Sequence, residues 1–175
     1  MFNVNDTIMY GSQGVCRILD IREESFSGAP KLYYVLEPVY DANSTIYCPV
    51  DSDKISLRKL LSLAEIYELI KLMPDTETSW IENDHERKEK FSAIVKEGDH
   101  QQLILLIKTL YFNRQAKLEA GKKPHAIDER LMKDAEHILY TEFAHVLQIK
   151  PEEVLPFITG QLDLIDQGGI PHAQP

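Results

Sequence analysis

The sequence predicts an α+β protein in which a small all-β module precedes an all-helical module. Short β-patterned runs separated by turns fill residues 2–55, and helical hydrophobic periodicity begins after residue 56. The chain has 175 residues, of which 43% are hydrophobic, so it can form one domain with a good core or two small ones. We therefore expect a β-domain at residues 1–55, a helical domain at 56–165 and a disordered tail at 166–175.

Four or five short strands are predicted in the β-module. The four clearest cover residues 6–10, 15–23, 31–37 and 45–49. Pro49 is expected to end the last strand or to mark it as an edge, because proline has no N–H for a sheet ladder. Strict alternation along the second strand places Ile21 on the opposite face from Ile18. So few strands cannot form a sandwich, and they favour a strongly bent SH3-like or Tudor-like barrel.

About five helices are predicted in the second module. They are expected at residues 62–73, 84–97, 99–120 and 126–147 and from residue 151 onward. Ser62 and Glu65 form a capping-box signature, Gly98 ends the second helix, and Asp99 can cap the third. Pro151 falls in a first helical turn, where a missing N–H is tolerated. These signals indicate a second module that is entirely helical.

The charge of the chain is unevenly distributed. The formal net charge is -9, which argues against wholesale binding of nucleic acids. Residues 85–123 nevertheless hold nine Lys or Arg and five Asp or Glu, which gives this segment a net charge of +4. The negative net charge of the chain is therefore compatible with a local contact between this segment and nucleic acid.

No sequence signature predicts an enzyme. The chain contains no H-E-x-x-H, Walker A, G-x-G-x-x-G or G-x-S-x-G motif. Cys16 and Cys48 form no C-x-x-C pair and are expected to be small buried hydrophobes. His137 and His145 lie two helical turns apart, which favours a polar helix face over a metal site. We expect no catalytic residue, cofactor, metal, small-molecule substrate or membrane span, and a cytoplasmic location.

The opening segment, FNVNDTIMYGSQGVCRI, closely resembles the first hairpin of the CarD/CdnL family of bacterial transcription regulators. The matching positions are Phe2, Val4, Asp6, Ile8, Tyr10, Gly14, Val15 and Ile18. Residues 33–38 (YYVLEP) and 47–51 (YCPVD) are similar to the third strand of the family and to its strand ending in Pro-Val. In the helical half, the similar positions are Trp80, Arg87, Gly98, Asp99, Glu129, Arg130, Ala135, Leu139 and Glu142. The resemblance covers roughly residues 1–148.

The resemblance implies that a Tudor-like module binds the β subunit of RNA polymerase, as a related module does in the transcription-repair coupling factor. The family's polymerase-facing arginines are replaced here, at about the positions of Glu24 and Cys48. This difference favours docking through a strand edge over docking through charge. The expected polymerase-binding residues are Glu24, Ile46, Tyr47 and Cys48.

The resemblance also implies that the helical domain contacts promoter DNA at the upstream edge of the melted bubble and stabilises the open complex. From pattern alone, Trp80 fits a core or an exposed position equally well, and the resemblance favours an exposed wedge against the minor groove. The expected DNA-binding residues are Trp80, Arg87, Lys88, Lys90, Lys122 and Lys123. Composition by itself favours an ordinary solvated face for these cations. Their position beside Trp80 favours phosphate contacts that are weak and tethered through the polymerase.

Two other classes of function stay open. One is a protein–protein adaptor whose barrel binds a peptide and whose helices bind another protein, without DNA. The other is a hydrolase or redox enzyme, for which the sequence offers no constellation of residues. Binding to RNA polymerase separates a transcription regulator from both, and promoter binding separates it from the adaptor.

Overall fold

The computed structural model of the chain describes residues 1–26, 28–51 and 57–167. The chain divides into two compact units, Met1–Leu60 and Leu61–Pro175. The expected domain boundary at residues 55 and 56 and most of the expected tail, residues 168–175, lie outside the described residues. Within the described ranges, no helix is both long enough and apolar enough to cross a membrane.

The first unit contains a five-stranded antiparallel sheet. Its strands are β1 (Thr7–Tyr10), β2 (Gly14–Glu24), β3 (Lys31–Pro38), β4 (Ile46–Pro49) and β5 (Leu57–Lys59), and their order is β4-β3-β2-β1-β5. This sheet and the helices that follow it confirm the predicted α+β class. Closure into a Tudor-like or SH3-like barrel is not confirmed, because β4 and β5 stand at opposite ends of the order and do not pair with each other among the described strands.

Both faces of the sheet carry buried side chains: Met9, Val15 and Val35 lie on one face, and the core cluster of the first unit lies on the other. The buried members of this core cluster are Ile8, Cys16, Ile18, Tyr34, Leu36 and Cys48. The register between β2 and β3 shifts between Ile18 and Asp20, which leaves Leu19 as an extra residue that is 41% exposed. Beyond this bulge, Ile21 pairs with Tyr34 and packs against the core. The expectation that Ile21 and Ile18 lie on opposite faces is wrong, because the bulge reverses the alternation.

The second unit contains five helices. They are α1 (Leu63–Leu72), α2 (Asp84–Glu97), α3 (His100–Glu119), α4 (Ala126–Leu147) and α5 (Pro151–Asp166). The capping box of Ser62 and Glu65 is present, Gly98 ends α2 in the left-handed region with φ 72°, and the side chain of Asp99 caps α3. These three predictions are confirmed. Asp166, predicted to lie in the tail, is the last residue of α5.

Four of these helices share one hydrophobic core. Helices α1, α3, α4 and α5 contribute its buried residues, which are Ile66, Ile70, Ile104, Leu139, Phe143, Ala144, Val154 and Ile158. Burial of such aliphatic and aromatic side chains is the main favourable term in folding. The helical unit therefore has a core of its own.

A carboxylate is buried beside this core. Glu142 of α4 is 0% exposed. One of its oxygens accepts the backbone N–H of Leu61 at 2.9 Å, and the other lies 2.8 Å from Nε2 of His100 at the start of α3. A buried carboxylate is tolerated only when hydrogen bonds or opposite charge replace the water it has lost. Glu142 thus links the first residue of the helical unit to two of its helices.

Replacing Glu142 with glutamine should lower the stability of the helical unit. The amide keeps the shape and an acceptor for Leu61 but loses the charge facing His100, so we expect a loss of about 1–2 kcal/mol in the free energy of unfolding, measured by urea titration. The control is Asp134→Asn on the same helix, which removes an exposed ion pair with Arg130. That control should cost at most about 0.5 kcal/mol. Equal losses in the two variants would contradict this role for Glu142.

Candidate functional site

Strand β4 stands at one edge of the sheet that the described strands form. It lies at one end of the strand order, and Val50, just after it, donates its N–H to the carbonyl of Leu32 at 2.9 Å. The polar groups of successive residues in a strand point alternately to either side. The backbone N–H and C=O of Cys48 therefore point toward β3, whereas those of Tyr47 point away from it. The backbone of Pro49 also points away from β3. Proline at this position therefore costs no hydrogen bond between β4 and β3.

An aromatic cluster lies beside this edge, on the sheet face opposite the core. We define the aromatic cluster as Arg22, Phe26, Tyr33 and Tyr47. The ring centroid of Phe26 is 5.3 Å from that of Tyr33 and 5.0 Å from that of Tyr47, both in edge-to-face geometry. The guanidinium of Arg22 lies 5.6 Å from the Tyr47 centroid and donates a 2.9 Å hydrogen bond to the Tyr47 hydroxyl. Phe26 is 63% and Tyr47 37% exposed, whereas Tyr33 is 7% exposed, so Phe26 and Tyr47 are the rings of the cluster that are open to a partner next to the strand edge.

The four residues predicted to bind the polymerase occupy different environments. Tyr47 is 37% exposed and belongs to the aromatic cluster, whereas Cys48 is 0% exposed. The side chain of Ile46 packs against the core, and that of Glu24 accepts a 2.8 Å hydrogen bond from Arg22. Of the three residues from β4, only Tyr47 presents both its backbone and its side chain to an approaching partner. The Cys48 side chain cannot make the predicted contact, because it is buried in the core.

Sequence reasoning missed Arg22, Phe26 and Tyr33. Alternation along β3 and β4 could have placed Tyr33 and Tyr47 on the same face, since both precede a core residue by one position. Phe26 lies between β2 and β3, where no periodicity indicates which way a side chain points. Its place in the aromatic cluster depends on tertiary structure.

In the helical unit, Trp80 lies between α1 and α2 and is half-buried. The guanidinium carbon of Arg87 is 4.4 Å and Nζ of Lys117 is 5.5 Å from the centroid of its ring, within the range of cation–π contacts. The ring of Phe91 meets it edge-to-face at 6.4 Å. We call Trp80, Arg87, Phe91 and Lys117 the Trp80 cluster. Trp80 is therefore not a fully exposed wedge, since only part of its indole is open to solvent.

Arg87 is buried and engaged inside the protein. It is 1% exposed, and its Nε and Nη2 donate to the two carboxylate oxygens of Asp128 at 3.0 and 3.2 Å. Nη2 also donates to Asp84 at 2.7 Å, and Nη1 donates to the carbonyl of Ile81 at 2.9 Å. Burial by itself lowers the pKa of Arg87, but the hydrogen bonds to both carboxylates outweigh it and raise this pKa above its ordinary value. The prediction that Arg87 binds DNA phosphates is corrected, because its guanidinium is enclosed and all three of its nitrogens have protein partners.

The remaining predicted cations are at the surface. The exposed ones are Lys88, Lys90, Lys122 and Lys123. Lys90 pairs with Glu86 at 2.7 Å, which reduces its attraction for an anion. The backbone N–H of Lys122 donates to the carbonyl of Lys117 at 2.8 Å. The turn after α3 is therefore hydrogen-bonded to a residue of the Trp80 cluster. Lys117 was missed as a contact of Trp80, although it lies in the only strongly basic segment.

Cysteine, histidine and carboxylate side chains provide no metal site in the described ranges. No group of three or more His, Cys, Asp or Glu is placed there to hold an ion. Burial raises the pKa of the Cys16 thiol to about 11 and raises that of Cys48 as well. Neither thiol is a nucleophile near neutral pH, because the thiolate is the reactive form. Both cysteines serve as core packing residues.

One segment of the chain matches a known family model. Residues 2–61 match the family model described as the CarD-like/TRCF RID domain. The resemblance stated from the sequence is confirmed for this part of the chain. Domains of this family are protein-interaction modules that bind RNA polymerase. A search of curated proteins found no matching sequence.

Proposed function

Because residues 2–61 form a CarD-like/TRCF RID domain, we propose that the chain is a transcription regulator that docks on the β subunit of RNA polymerase and stabilises the promoter open complex. The observation that supports this proposal is the position of β4 at the edge of the described sheet, in a segment that matches a polymerase-binding family. Such a regulator acts in the cytoplasm and reaches the nucleoid through the polymerase.

Docking would add a strand of the β subunit to β4. In this recognition mode, main-chain hydrogen bonds supply affinity and alternate side chains supply specificity. The outward N–H and C=O of Tyr47 would bond the incoming strand. The side chains of Tyr47 and Phe26 would then cover an apolar residue of that strand, which suits their exposure of 37% and 63%. Charge plays a smaller part, because Arg22 already pairs with Glu24.

Contact with DNA would use the open part of Trp80 together with Lys88, Lys122 and Lys123. A few lysine–phosphate contacts give modest, salt-sensitive affinity, which is adequate for a factor already held at the promoter by the polymerase. The net charge of -9 would limit binding to DNA elsewhere. The expected position of the contact is the upstream edge of the bubble, where melting has reduced the cost of unstacking a base step.

A protein–protein adaptor without DNA contact is the second candidate. Two observations favour it: Arg87 is enclosed, and Lys90 is paired with Glu86. Only the regulator requires binding to RNA polymerase, because the barrel of the adaptor would bind a peptide of another protein. The lifetime of the open complex in vitro, with and without the protein, separates them, because only the regulator changes it.

We expect a fragment of residues 1–60 to bind the β subunit by itself. Residues 57–59 form β5, which pairs with β1, so a fragment ending at residue 55 would lack one edge of the sheet. Fluorescence anisotropy with labelled β subunit should give dissociation constants for the fragment and the full chain within about threefold, because the proposed contacts all lie in the first unit. A fragment that is folded by circular dichroism but does not bind, when the full chain does, would show that docking lies elsewhere.

A further inference from the structure

Arg87 is one of the largest fully buried side chains in the described part of the chain, and it touches Trp80. A buried guanidinium is costly unless its donors are satisfied, and here Asp128, Asp84 and the Ile81 carbonyl satisfy them. Asp128 is 41 residues away on α4 and is itself buried, at 6% exposure. The contact with Asp128 therefore fixes the guanidinium to another helix, independently of the local chain.

The fixed guanidinium holds Trp80 in two ways. Its carbon atom lies over the indole ring, 4.4 Å from the ring centroid. Its Nη1 donates a hydrogen bond to the carbonyl of Ile81, the residue next to Trp80. Trp80 lies outside any helix, in a connecting segment, where side chains are more mobile than in helices, and Phe91 and Lys117 also contact its ring. Arg87 thus restrains both the ring and the backbone beside it.

We propose that Arg87, held by Asp128, is the positioning residue of Trp80, so that the indole is pre-set for its contact. The functional half of this inference rests on the proposed DNA contact. Ordering a large side chain on binding reduces affinity, and a side chain that is already ordered avoids this loss. Lysine cannot replace arginine here, because the planar fork serves two carboxylates and a carbonyl at once.

Asp128→Asn is the test variant, and Glu129→Gln is its matched control. Both remove one negative charge from the first turns of α4. Glu129 pairs with Arg114, whereas Asp128 holds Arg87 and also lies 3.9 Å from Nζ of Lys117. Asp84→Asn is therefore measured beside it, because among the described residues the ion pairs of Asp84 with lysine or arginine involve Arg87 alone. Trp80 is the only tryptophan, so its fluorescence reports on this position alone. Acrylamide quenching and fluorescence anisotropy measure the freedom of the indole in the free full-length protein, and open-complex lifetime measures its contact with promoter DNA.

We expect Asp128→Asn to increase quenching, lower the anisotropy and shorten the open-complex lifetime by about two- to tenfold, as the loss of a pre-ordered side chain predicts. Glu129→Gln should change none of these. If Asp128→Asn does not fold, Asp84→Asn serves as the test by itself, since Asp84 is exposed and also bonds Arg87. Unchanged quenching in these variants would overturn the proposal.

The outcomes also separate this proposal from the proposed function. Increased quenching with an unchanged lifetime, while Trp80→Ala shortens the lifetime, would overturn the positioning role and leave the DNA contact standing. An unchanged lifetime with Trp80→Ala itself would overturn the DNA contact and the functional half of this proposal. The quenching measurement would then still decide whether Arg87 holds the ring.

Discussion

Replacing Tyr47 with proline is expected to abolish docking on the β subunit while leaving the protein folded. The N–H of Tyr47 faces away from β3, so its loss breaks no bond within the sheet, and proline is tolerated at such edge positions. An incoming strand would lose a donor and meet the proline ring, leaving one of its own carbonyls unpaired. We expect the dissociation constant to rise by at least about a hundredfold, measured by titration with isolated β subunit.

Tyr47→Val separates the backbone from the side chain in this experiment. Valine keeps the N–H and suits a strand but removes the ring from the aromatic cluster, so affinity should fall by only about tenfold. Thermal unfolding must show that both variants keep their fold. Docking that survives Tyr47→Pro in a folded protein would contradict strand addition at β4, and a larger loss with valine than with proline would assign the affinity to the side chain.

The helix boundaries were predictable because their signals are local. Ser62 and Glu65 lie within one helical turn of each other, and Gly98 and Asp99 are adjacent at the break between α2 and α3. Each signal satisfies backbone groups within a few residues, so it acts in the same way whatever surrounds it. Strands β1 to β4 were predicted for the same reason, from alternation and turns, whereas β5 at Leu57–Lys59 lies beyond the predicted end of the β-module at residue 55. The bulge at Leu19 was not, because it depends on pairing with β3.

The site was less predictable because its decisive contacts join distant residues. Arg87 stands among charged neighbours in α2, which is typical of a solvated face, and charged residues are rarely buried. Its burial depends on Asp128, 41 positions later, and no short-range pattern links the two. The same holds for Phe26 and Tyr47, which meet only when β3 and β4 pair. Trp80 could be placed between the core and the surface only once its neighbours were known.

Replacing Trp80 with alanine is expected to shorten the open-complex lifetime by about ten- to a hundredfold, the range expected for loss of one aromatic contact with a base. Polymerase affinity should not change, because the proposed docking edge is β4 in the first unit. The variant should also lose stability, since the Trp80 ring that it lacks packs on Phe91 and Arg87. For a half-buried ring we expect the free energy of unfolding to fall by about 1–2 kcal/mol, less than the roughly 3–5 kcal/mol lost when a fully buried tryptophan is replaced by alanine.

A matched control keeps the two effects apart. Phe112→Ala removes an aromatic side chain that is 53% exposed on α3 and lies outside the Trp80 cluster, so it should leave the lifetime unchanged. Trp80→Phe keeps an aromatic ring against Arg87 and should recover part of both stability and lifetime, because phenylalanine retains a weaker cation–π contact. If Trp80→Ala and a core variant of the same stability shortened the open-complex lifetime equally, the lifetime would follow stability alone. That result would refute a direct contact. A lifetime that falls only when the indole is lost would assign the contact to Trp80 itself, because stability and docking have been held equal.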